Sequence, residues 1–282
     1  MLNDNGLMIL LVAAIFWRFG AFMVLKGKVT IVTGAGRGIG RAIAALFAQE
    51  GSAVTLAART DAEIQEAASE LTSTGHRAIA IRADVSLEAD CLAILHETRK
   101  QFGQVDILIN NAGVLGPTKS VEEISPKEWD EVIAVNLRGP YLLSRLVLPE
   151  MYKRGSGAIV NISSVAAKGA FQWNSPYAAS KAGLLGFTRT LAAEAARKGV
   201  RVNAICPGPV PETEMSQALG RALAERLHAD PEQLFKGFLE GILQGKPQTV
   251  NDVAEAALFL ASDKSAAITG QTLNVDGGMF FY

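Results

Sequence analysis

From Lys28 to the C-terminus, short runs rich in β-branched residues alternate with longer stretches in which apolar positions recur at helical spacing. This alternation is typical of an α/β protein in which crossover helices connect the strands of a parallel sheet. The pattern predicts seven strands, at Val29–Thr33, Ala53–Ala57, Ala78–Arg82, Ile107–Asn110, Ala158–Ile162, Arg201–Ile205 and Thr272–Val275. It predicts helices at Ile39–Glu50, Asp61–Thr72, Glu88–Phe102, Pro126–Arg154, Tyr177–Arg197 and Thr249–Ala261. We therefore expect one doubly wound α/β domain with a seven-stranded parallel sheet and a ligand crevice at the carboxyl ends of its strands.

The N-terminal segment does not follow this alternation. Its apolar run Gly6–Trp17 has 12 residues, whereas a membrane-spanning helix needs about 20. Extending the run to Leu25 would place Arg18 in the bilayer, at a cost of about 2.5–3.5 kcal/mol near its centre. No Lys or Arg precedes the run, which argues against a signal peptide. We expect a domain over residues 23–282 and a leader over residues 1–22, which is dispensable or misassigned, a membrane anchor through residues 6–25, or an oligomer contact.

The charge balance is nearly neutral, with 27 basic and 28 acidic residues. It gives no electrostatic reason to expect nucleic acid or an anionic membrane as a partner. The two cysteines, Cys91 and Cys206, form no disulfide framework, and together with the histidines they form no metal-ligand spacing. We therefore expect no metal ion and a reducing, cytoplasmic compartment, with Cys206 as a core residue.

The turn after the first predicted strand reads TGAGRGIG, residues 33–40. The common dinucleotide fingerprint GxGxxG fails here in every register, but the spacing TGxxxGxG is met by Gly34, Gly38 and Gly40. Glycines let the backbone turn tightly and bring a pyrophosphate against the N-terminus of the helix that begins near Ile39. The position of this turn between a strand and a helix predicts a dinucleotide-binding loop.

The end of the second predicted strand bears on the choice of dinucleotide, because an acidic residue there would bond a free ribose 2′-hydroxyl. Ala57 and Ala58 occupy that place, and Arg59 follows. With Arg37 from the glycine turn nearby, the pocket suits the 2′-phosphate of NADP, since a guanidinium pairs with phosphate in a planar fork. We predict NADP(H) over NAD(H); the alternative is that Arg59 is only a solvated loop residue.

Tyr177 and Lys181 stand four positions apart near the start of the helix that follows the fifth strand. At this spacing they project from the same face of the helix. A free tyrosine has a pKa of about 10, and a nearby ammonium favours the phenolate and lowers that pKa. Tyr177 is therefore a candidate general acid and base. At the end of the preceding strand, Ser163 and Ser164 are each able to hydrogen-bond a substrate carbonyl oxygen.

These motifs resemble the short-chain dehydrogenase/reductase family over nearly the whole chain, from about Met23 to Gly278. Further matching segments are DV (84–85), NNAG (110–113), VNLRG (135–139), NISS (161–164), NAICPGPV (203–210) and ITGQTLNVDGG (268–278). The resemblance, which extends to 3-oxoacyl-ACP reductase-like members, implies a Rossmann fold and an NAD(P)-dependent oxidoreductase acting on CH–OH groups.

The resemblance also implies a role for each matching residue. Asn136 would serve a water-linked proton relay, and Tyr177 would be the acid and base. Lys181 would bind the ribose and lower the tyrosine pKa. Ser164 would orient the carbonyl and is preferred to Ser163, because the serine of the family usually lies thirteen residues before its tyrosine. The implied cofactor contacts are Gly34, Arg37, Gly38, Ile39, Gly40, Arg59, Asp84, Val85, Asn111, Ala112, Gly113, Tyr177, Lys181, Pro207, Gly208 and Val210.

Within that set, Asp84 and Val85 would border the adenine, residues 111–113 the ribose, and residues 207–210 the nicotinamide. One position departs from the family. Where a threonine often follows the Pro-Gly pair, this chain has Glu212, and Thr213 comes one residue later. A contact between Thr213 and the cofactor amide is therefore left open.

The region from Pro211 to Pro247 is the lid over the active site by resemblance. Eight of its apolar residues could line a substrate pocket or form the core face of two helices: Met215, Leu219, Leu223, Leu227, Leu234, Phe235, Phe238 and Leu239. The substrate is left open between a 3-oxoacyl thioester and a sugar, polyol or cyclic alcohol. A non-catalytic nucleotide-sensing protein is the alternative of another class, and the presence of all four implied catalytic residues argues against it.

The helix that begins at Tyr177 predicts an oligomer. Residues Ala178 to Ala196 are small or apolar around much of the helix circumference, more than one sheet-packing face needs. By resemblance, this helix and the helix after Asn136 would pair with their symmetry mates. We expect a homotetramer built on two-fold axes, with the aromatic C-terminal segment Gly277–Tyr282 at a subunit boundary near the active site.

Overall fold

A computed structural model describes residues 23–282 of the chain. Its seven strands form one all-parallel sheet: β1 Val29–Thr33, β2 Ala53–Ala58, β3 Ala78–Arg82, β4 Ile107–Asn110, β5 Gly157–Ile162, β6 Val200–Pro207 and β7 Thr272–Val275. The strand order is β3-β2-β1-β4-β5-β6-β7. The predicted seven-stranded α/β fold is confirmed. The order reverses between β1 and β4, which is where a doubly wound sheet opens its ligand crevice.

Within the described residues the chain forms nine α-helices. They are α1 Gly38–Gln49, α2 Asp61–Ser73, α3 Glu88–Phe102, α4 Pro126–Ile133, α5 Gly139–Arg154, α6 Ser175–Ala195, α7 Glu214–Leu227, α8 Pro231–Glu240 and α9 Val250–Ala261. The long helix predicted over Pro126–Arg154 is instead α4 and α5 joined by a π-helical turn at Ala134–Arg138. The predicted lid contributes α7 and α8.

Helices cover both faces of the sheet, as an all-parallel sheet requires. Phe47 of α1 lies in one buried cluster with Val32 of β1, whereas Leu143 of α5 lies in the other with Ile31. Consecutive strand residues point to opposite faces, so the largely apolar strands supply both layers of the core. Cys206 is fully buried, as predicted.

The first described residues are held against the loop that follows α1. The Val24 N–H donates to the Glu50 carboxylate at 2.9 Å, and the Leu25 N–H donates to the Glu50 carbonyl at 3.0 Å. Leu25 is only 1% exposed. No helix in residues 23–282 is both long and apolar enough to cross a bilayer. The leader over residues 1–22, with most of the predicted membrane contact, lies outside the described residues.

We expect a chain that begins at Met23 to unfold at the same temperature as the full chain, because it keeps the contacts of Val24 and Leu25. A chain that begins at Lys28 loses the buried Leu25 side chain, so its free energy of unfolding should fall by about 1.5–3 kcal/mol. Thermal and urea unfolding of the three chains measure both effects. A clear loss of stability in the Met23 chain would show that the leader belongs to the fold.

Candidate active site

The glycine turn joins β1 to α1 at the edge of the sheet where the strands end. Gly34 and Gly38 have φ angles of 64° and 55°, in the left-handed region that favours glycine. At Gly40, a Cβ atom would lie 2.2 Å from the Gly34 carbonyl oxygen and 2.4 Å from Asn111 Nδ2. The start of α1 thus lies so close to the end of β1 that position 40 has no room for a side chain.

The end of β4 supports this turn through hydrogen bonds. Asn111 Nδ2 donates to the carbonyl oxygens of Thr33 and Gly34, at 2.8 and 3.2 Å. The Thr33 hydroxyl oxygen accepts from the N–H groups of Asn111 and Ala112, both at 3.0 Å. The NNAG segment therefore fixes the shape of the glycine turn, in addition to bordering the crevice.

A cavity of about 470 Å³ opens along the carboxyl ends of the strands. Every cofactor contact expected from the sequence lines this cavity, from Gly34 at the glycine turn to Val210 after β6. Residues of α7, in the segment predicted to be a lid, line it too, namely Glu214, Met215, Ser216 and Ala218. The fold therefore gathers the separate motifs into one elongated pocket.

Tyr177 and Lys181 lie in the first two turns of α6, and both line the cavity although they are nearly buried. Tyr177 is 9% exposed and Lys181 is 3% exposed. The Lys181 ammonium donates to the Ile162 carbonyl at 2.8 Å, and its Nζ lies 5.6 Å from the centre of the Tyr177 ring. Burial lowers the pKa of Lys181 to about 8, so most of the lysine keeps its charge at neutral pH.

The pKa of Tyr177 differs from the expectation. Burial raises it, because the phenolate would lose its hydration, while hydrogen bonding with the Ser164 side chain acts in the opposite direction. The net lowering expected from Lys181 is therefore not found, because burial has the larger effect.

The two serines after β5 have different surroundings. The Ser163 hydroxyl is buried and donates to the Lys181 backbone carbonyl at 2.9 Å. This hydrogen bond connects the end of β5 to α6. The Ser164 hydroxyl accepts from the Ala166 N–H at 3.1 Å and lies on the half-buried wall of the cavity. Of the two hydroxyls, only that of Ser163 donates to a backbone carbonyl, which favours Ser164 as the carbonyl-binding serine.

Asn136 lies in the π-helical turn and is fully buried. Its Oδ1 accepts from the Val114 N–H at 2.8 Å, and its Nδ2 donates to the Val114 carbonyl and the Ser180 hydroxyl at 2.9 and 3.0 Å. Asn136 does not line the cavity and lies behind Gly113. A Cβ added at Gly113 would be 3.4 Å from both Asn136 Oδ1 and Lys181 Nζ. The extra residue of a π-turn redirects side chains, a device frequent at functional sites.

Two acidic residues that the sequence did not single out, Glu63 and Glu214, line the cavity together with Arg37 and Arg59. The Arg37 guanidinium pairs with Glu63 of α2 at 2.9 Å and with Glu214 of α7 at 2.8 Å. Arg59 lies 3.9 Å from the Asp84 carboxylate. The expected place for an acidic residue was the end of β2, whereas Glu63 lies in the first turn of the next helix. An inspection of that turn for carboxylates would have found it.

The segment predicted to be a lid is less buried than the core of the sheet. None of the eight apolar residues considered for it is fully buried, and Leu227 and Phe235 are 44% and 39% exposed. Of the eight, Met215 alone lines the described cavity. The Thr213 hydroxyl caps α7 by accepting from the Ser216 N–H at 3.3 Å, and it donates to the Val210 carbonyl at 2.8 Å.

Known proteins are similar to this chain in sequence and fold. A family model described as short chain dehydrogenase matches residues 28–224. The chain is 37% identical to a 3-oxoacyl-[acyl-carrier-protein] reductase of Escherichia coli (strain K12), over 92% of this chain and 99% of that protein. A solved structure of an actinorhodin polyketide ketoreductase variant with NADPH is similar, with a TM-score of 0.86, 35% identity, and coverage of 90% of this chain and 98% of that one. A levodione reductase structure has a TM-score of 0.85, 32% identity and the same coverage of both chains. Because the family model spans more than half of the sequence, this chain belongs to the short-chain dehydrogenase/reductase family and is an NAD(P)-dependent oxidoreductase that acts on CH–OH or carbonyl groups.

Proposed function

We propose that this chain is an NADP(H)-dependent reductase that converts a ketone, in the first place a 3-oxoacyl thioester, to the secondary alcohol. The observation that carries this proposal is the placement of Tyr177, Lys181 and Ser164 on one cavity that also holds the glycine turn and residues 207–210. The residues present fit the cofactor, because position 40 admits no side chain and the turn opens onto the N-terminus of α1.

The bound nicotinamide supplies the hydride, so the protein must bind the carbonyl oxygen and deliver a proton to it. Ser164 donates a hydrogen bond to that oxygen, and Tyr177 donates its proton as the oxygen becomes an alcohol. The raised pKa of Tyr177 keeps the hydroxyl protonated before the reaction, which suits reduction. The Lys181 ammonium then stabilises the phenolate that is left.

Asn136 has a supporting role in this proposal. Its amide holds both backbone groups of Val114, next to the NNAG segment, and also bonds to Ser180 of α6. It thereby fixes the distance between the wall of the pocket after β4 and the helix that carries Tyr177. The water-linked proton relay implied by the family would return a proton to Tyr177 from this side.

The proposed substrate rests on the relatives and is tested by turnover. The Escherichia coli relative is named for 3-oxoacyl-[acyl-carrier-protein] reduction, and the neighbour with NADPH is named a ketoreductase. The purified protein should be tested with a 3-oxoacyl thioester and a cyclic ketone in the presence of the reduced cofactor. A sugar or polyol should be tested with the oxidised cofactor. The nicotinamide absorbance measures turnover in each case. We expect the thioester to be reduced with the highest kcat/KM. Turnover confined to a sugar or polyol would contradict the proposed substrate class.

The preference for NADP(H) rests on Arg37 and Arg59, which both line the cavity near the end of β2. We expect Arg59→Asp to weaken NADPH binding by at least about tenfold and to change NADH binding far less. The reason is that only NADPH carries the 2′-phosphate with which the Arg59 guanidinium would pair. Fluorescence titration of both nucleotides measures this, with Arg77→Asp, at an exposed position before β3 and outside the cavity, as the control. An equal loss of affinity for the two nucleotides would contradict the 2′-phosphate assignment.

We also propose a homotetramer. On α6, Ala179, Ala182 and Ala193 are exposed, and the ring of Tyr141 on α5 is 46% exposed beside it. At the chain end, Phe281 and Tyr282 are 80% and 77% exposed. These apolar surfaces would face water in a monomer and suit a second copy of the chain.

Light scattering at micromolar concentration tests the assembly, and we expect the mass of four chains. Ala182→Arg places a charge at the exposed face of α6 and should lower that mass, because a buried unpaired charge opposes association. Glu255→Arg, at an exposed position of α9, is the matched control. An active wild-type monomer would contradict the proposal.

A further inference from the structure

The Arg37 guanidinium lies between carboxylates from two different elements. It is 2.9 Å from Glu63 Oε1 on α2 and 2.8 Å from Glu214 Oε2 at the first residue of α7. Glu63 also covers the glycine turn, since a Cβ at Gly36 would be 2.9 Å from Glu63 Oε2. One arginine of the glycine turn thus connects the cofactor pocket to the lid.

The charged side chains around Arg37 do not by themselves favour the binding of a 2′-phosphate. Two guanidinium groups, of Arg37 and Arg59, line this end of the cavity together with three carboxylates, of Glu63, Asp84 and Glu214. The local charge is therefore negative by one unit. A phosphate dianion that pairs with Arg37 must take the place of the carboxylates, because like charges at such distances repel each other.

We propose that Glu63 and Glu214 determine cofactor specificity by competing with the 2′-phosphate for Arg37. This inference rests on the proposed 2′-phosphate site. NADP(H) separates Arg37 from both carboxylates, whereas NAD(H) has no 2′-phosphate and leaves both ion pairs in place. Because Glu214 is the first residue of the lid helix, NADP(H) also releases the start of the lid from the glycine turn.

Dissociation constants for NADPH and NADH test the competition. Glu63→Gln and Glu214→Gln remove one negative charge each and keep the shape of the side chain. We expect each to strengthen NADPH binding by about two- to tenfold, in line with the modest free energy of exposed ion pairs, and to change NADH binding less than twofold. Glu225→Gln, at an exposed position of the same lid helix and in none of the ion pairs found in residues 23–282, is the control. Equal changes for the two nucleotides, or no change for NADPH, would overturn the proposal.

The effect on the lid has a readout that does not depend on turnover. Hydrogen exchange of the peptide covering residues 214–220 should be compared between the wild-type protein and Glu214→Gln. With NADH bound, the variant should exchange faster, because only the wild-type protein keeps the ion pair between Glu214 and Arg37. With NADPH bound, the two proteins should exchange alike. Faster exchange of the variant with both nucleotides would show that Glu214 stabilises α7 independently of the cofactor.

Arg37→Ala separates a failure of this inference from a failure of the proposed function. A selective loss of NADPH affinity in this variant, without a selective gain in the two glutamine variants, overturns only the competition. If Arg37→Ala and Arg59→Asp weaken both nucleotides equally, the 2′-phosphate site is wrong, and the competition is wrong with it.

Discussion

Tyr177→Phe is expected to lower kcat by about 100- to 10,000-fold, the range that general acid catalysis supplies. The substitution removes one hydroxyl from a side chain that is 9% exposed, and the ring that packs in the first turn of α6 is kept. Cofactor affinity and the melting temperature should therefore remain close to those of the wild-type protein. Steady-state turnover, nucleotide titration and thermal unfolding give the three values.

Tyr152→Phe is the matched control, since Tyr152 lies near the end of α5 and packs against Lys198, outside the cavity. It should leave kcat unchanged. Substantial turnover by purified Tyr177→Phe would exclude Tyr177 as the proton donor. A variant of Lys181 adds a second test. With Lys181→Met the phenolate loses its nearby charge and the pKa of Tyr177 rises, so the remaining oxidation of the alcohol, which needs the phenolate as a base, should require a higher pH than in the wild-type protein.

Gly40→Ala is expected to abolish tight cofactor binding. The new methyl group would lie 2.2 Å from the Gly34 carbonyl oxygen, so the glycine turn must shift away from α1. We expect the free energy of unfolding to fall by about 1–3 kcal/mol, as for overpacked sites. The dissociation constant for NADPH should rise by at least about tenfold, since 1.4 kcal/mol of lost binding energy is sufficient for that change. Urea unfolding and nucleotide titration measure the two effects.

Gly237→Ala serves as the control for the same chemical change. Gly237 lies inside α8, and an added Cβ there meets no atom within 4 Å. Because alanine favours a helix over glycine by about 1 kcal/mol, this variant should be as stable as the wild-type protein or slightly more stable. Unchanged NADPH affinity in Gly40→Ala would contradict the assignment of the glycine turn to the pyrophosphate.

The strands and the main helices were predictable because their signals are local. The apolar run of β1 is buried at all five residues, and a run of that length is typical of a strand covered on both faces. The predicted contacts of the pocket share a simple geometric origin. Each motif follows a strand of one parallel sheet, so the carboxyl ends bring Gly34, Asn111 and Ser164 to the same edge.

The break in the predicted helix over residues 126–154 was not predictable. Pro126 and Ser125 mark its start, where Ser125 accepts from the Glu128 N–H at 3.3 Å. No residue type in Ala134–Arg138 indicates the extra residue of a π-turn. The turn packs closely against α6, a tertiary contact that no local pattern shows, because a Cβ at Gly183 would lie 3.0 Å from Leu137.

By itself, the sequence determined the α/β fold and the glycine turn, because each follows from spacing or motif over a short stretch of chain. The resemblance to the family implied the cofactor contacts, which line the cavity. Only the tertiary structure decided the electrostatics. Burial raises the pKa of Tyr177, and two carboxylates distant in the chain pair with Arg37. Hydration and charge pairing depend on all atoms within several ångströms, whichever part of the chain supplies them. A local pattern contains no information about those neighbours.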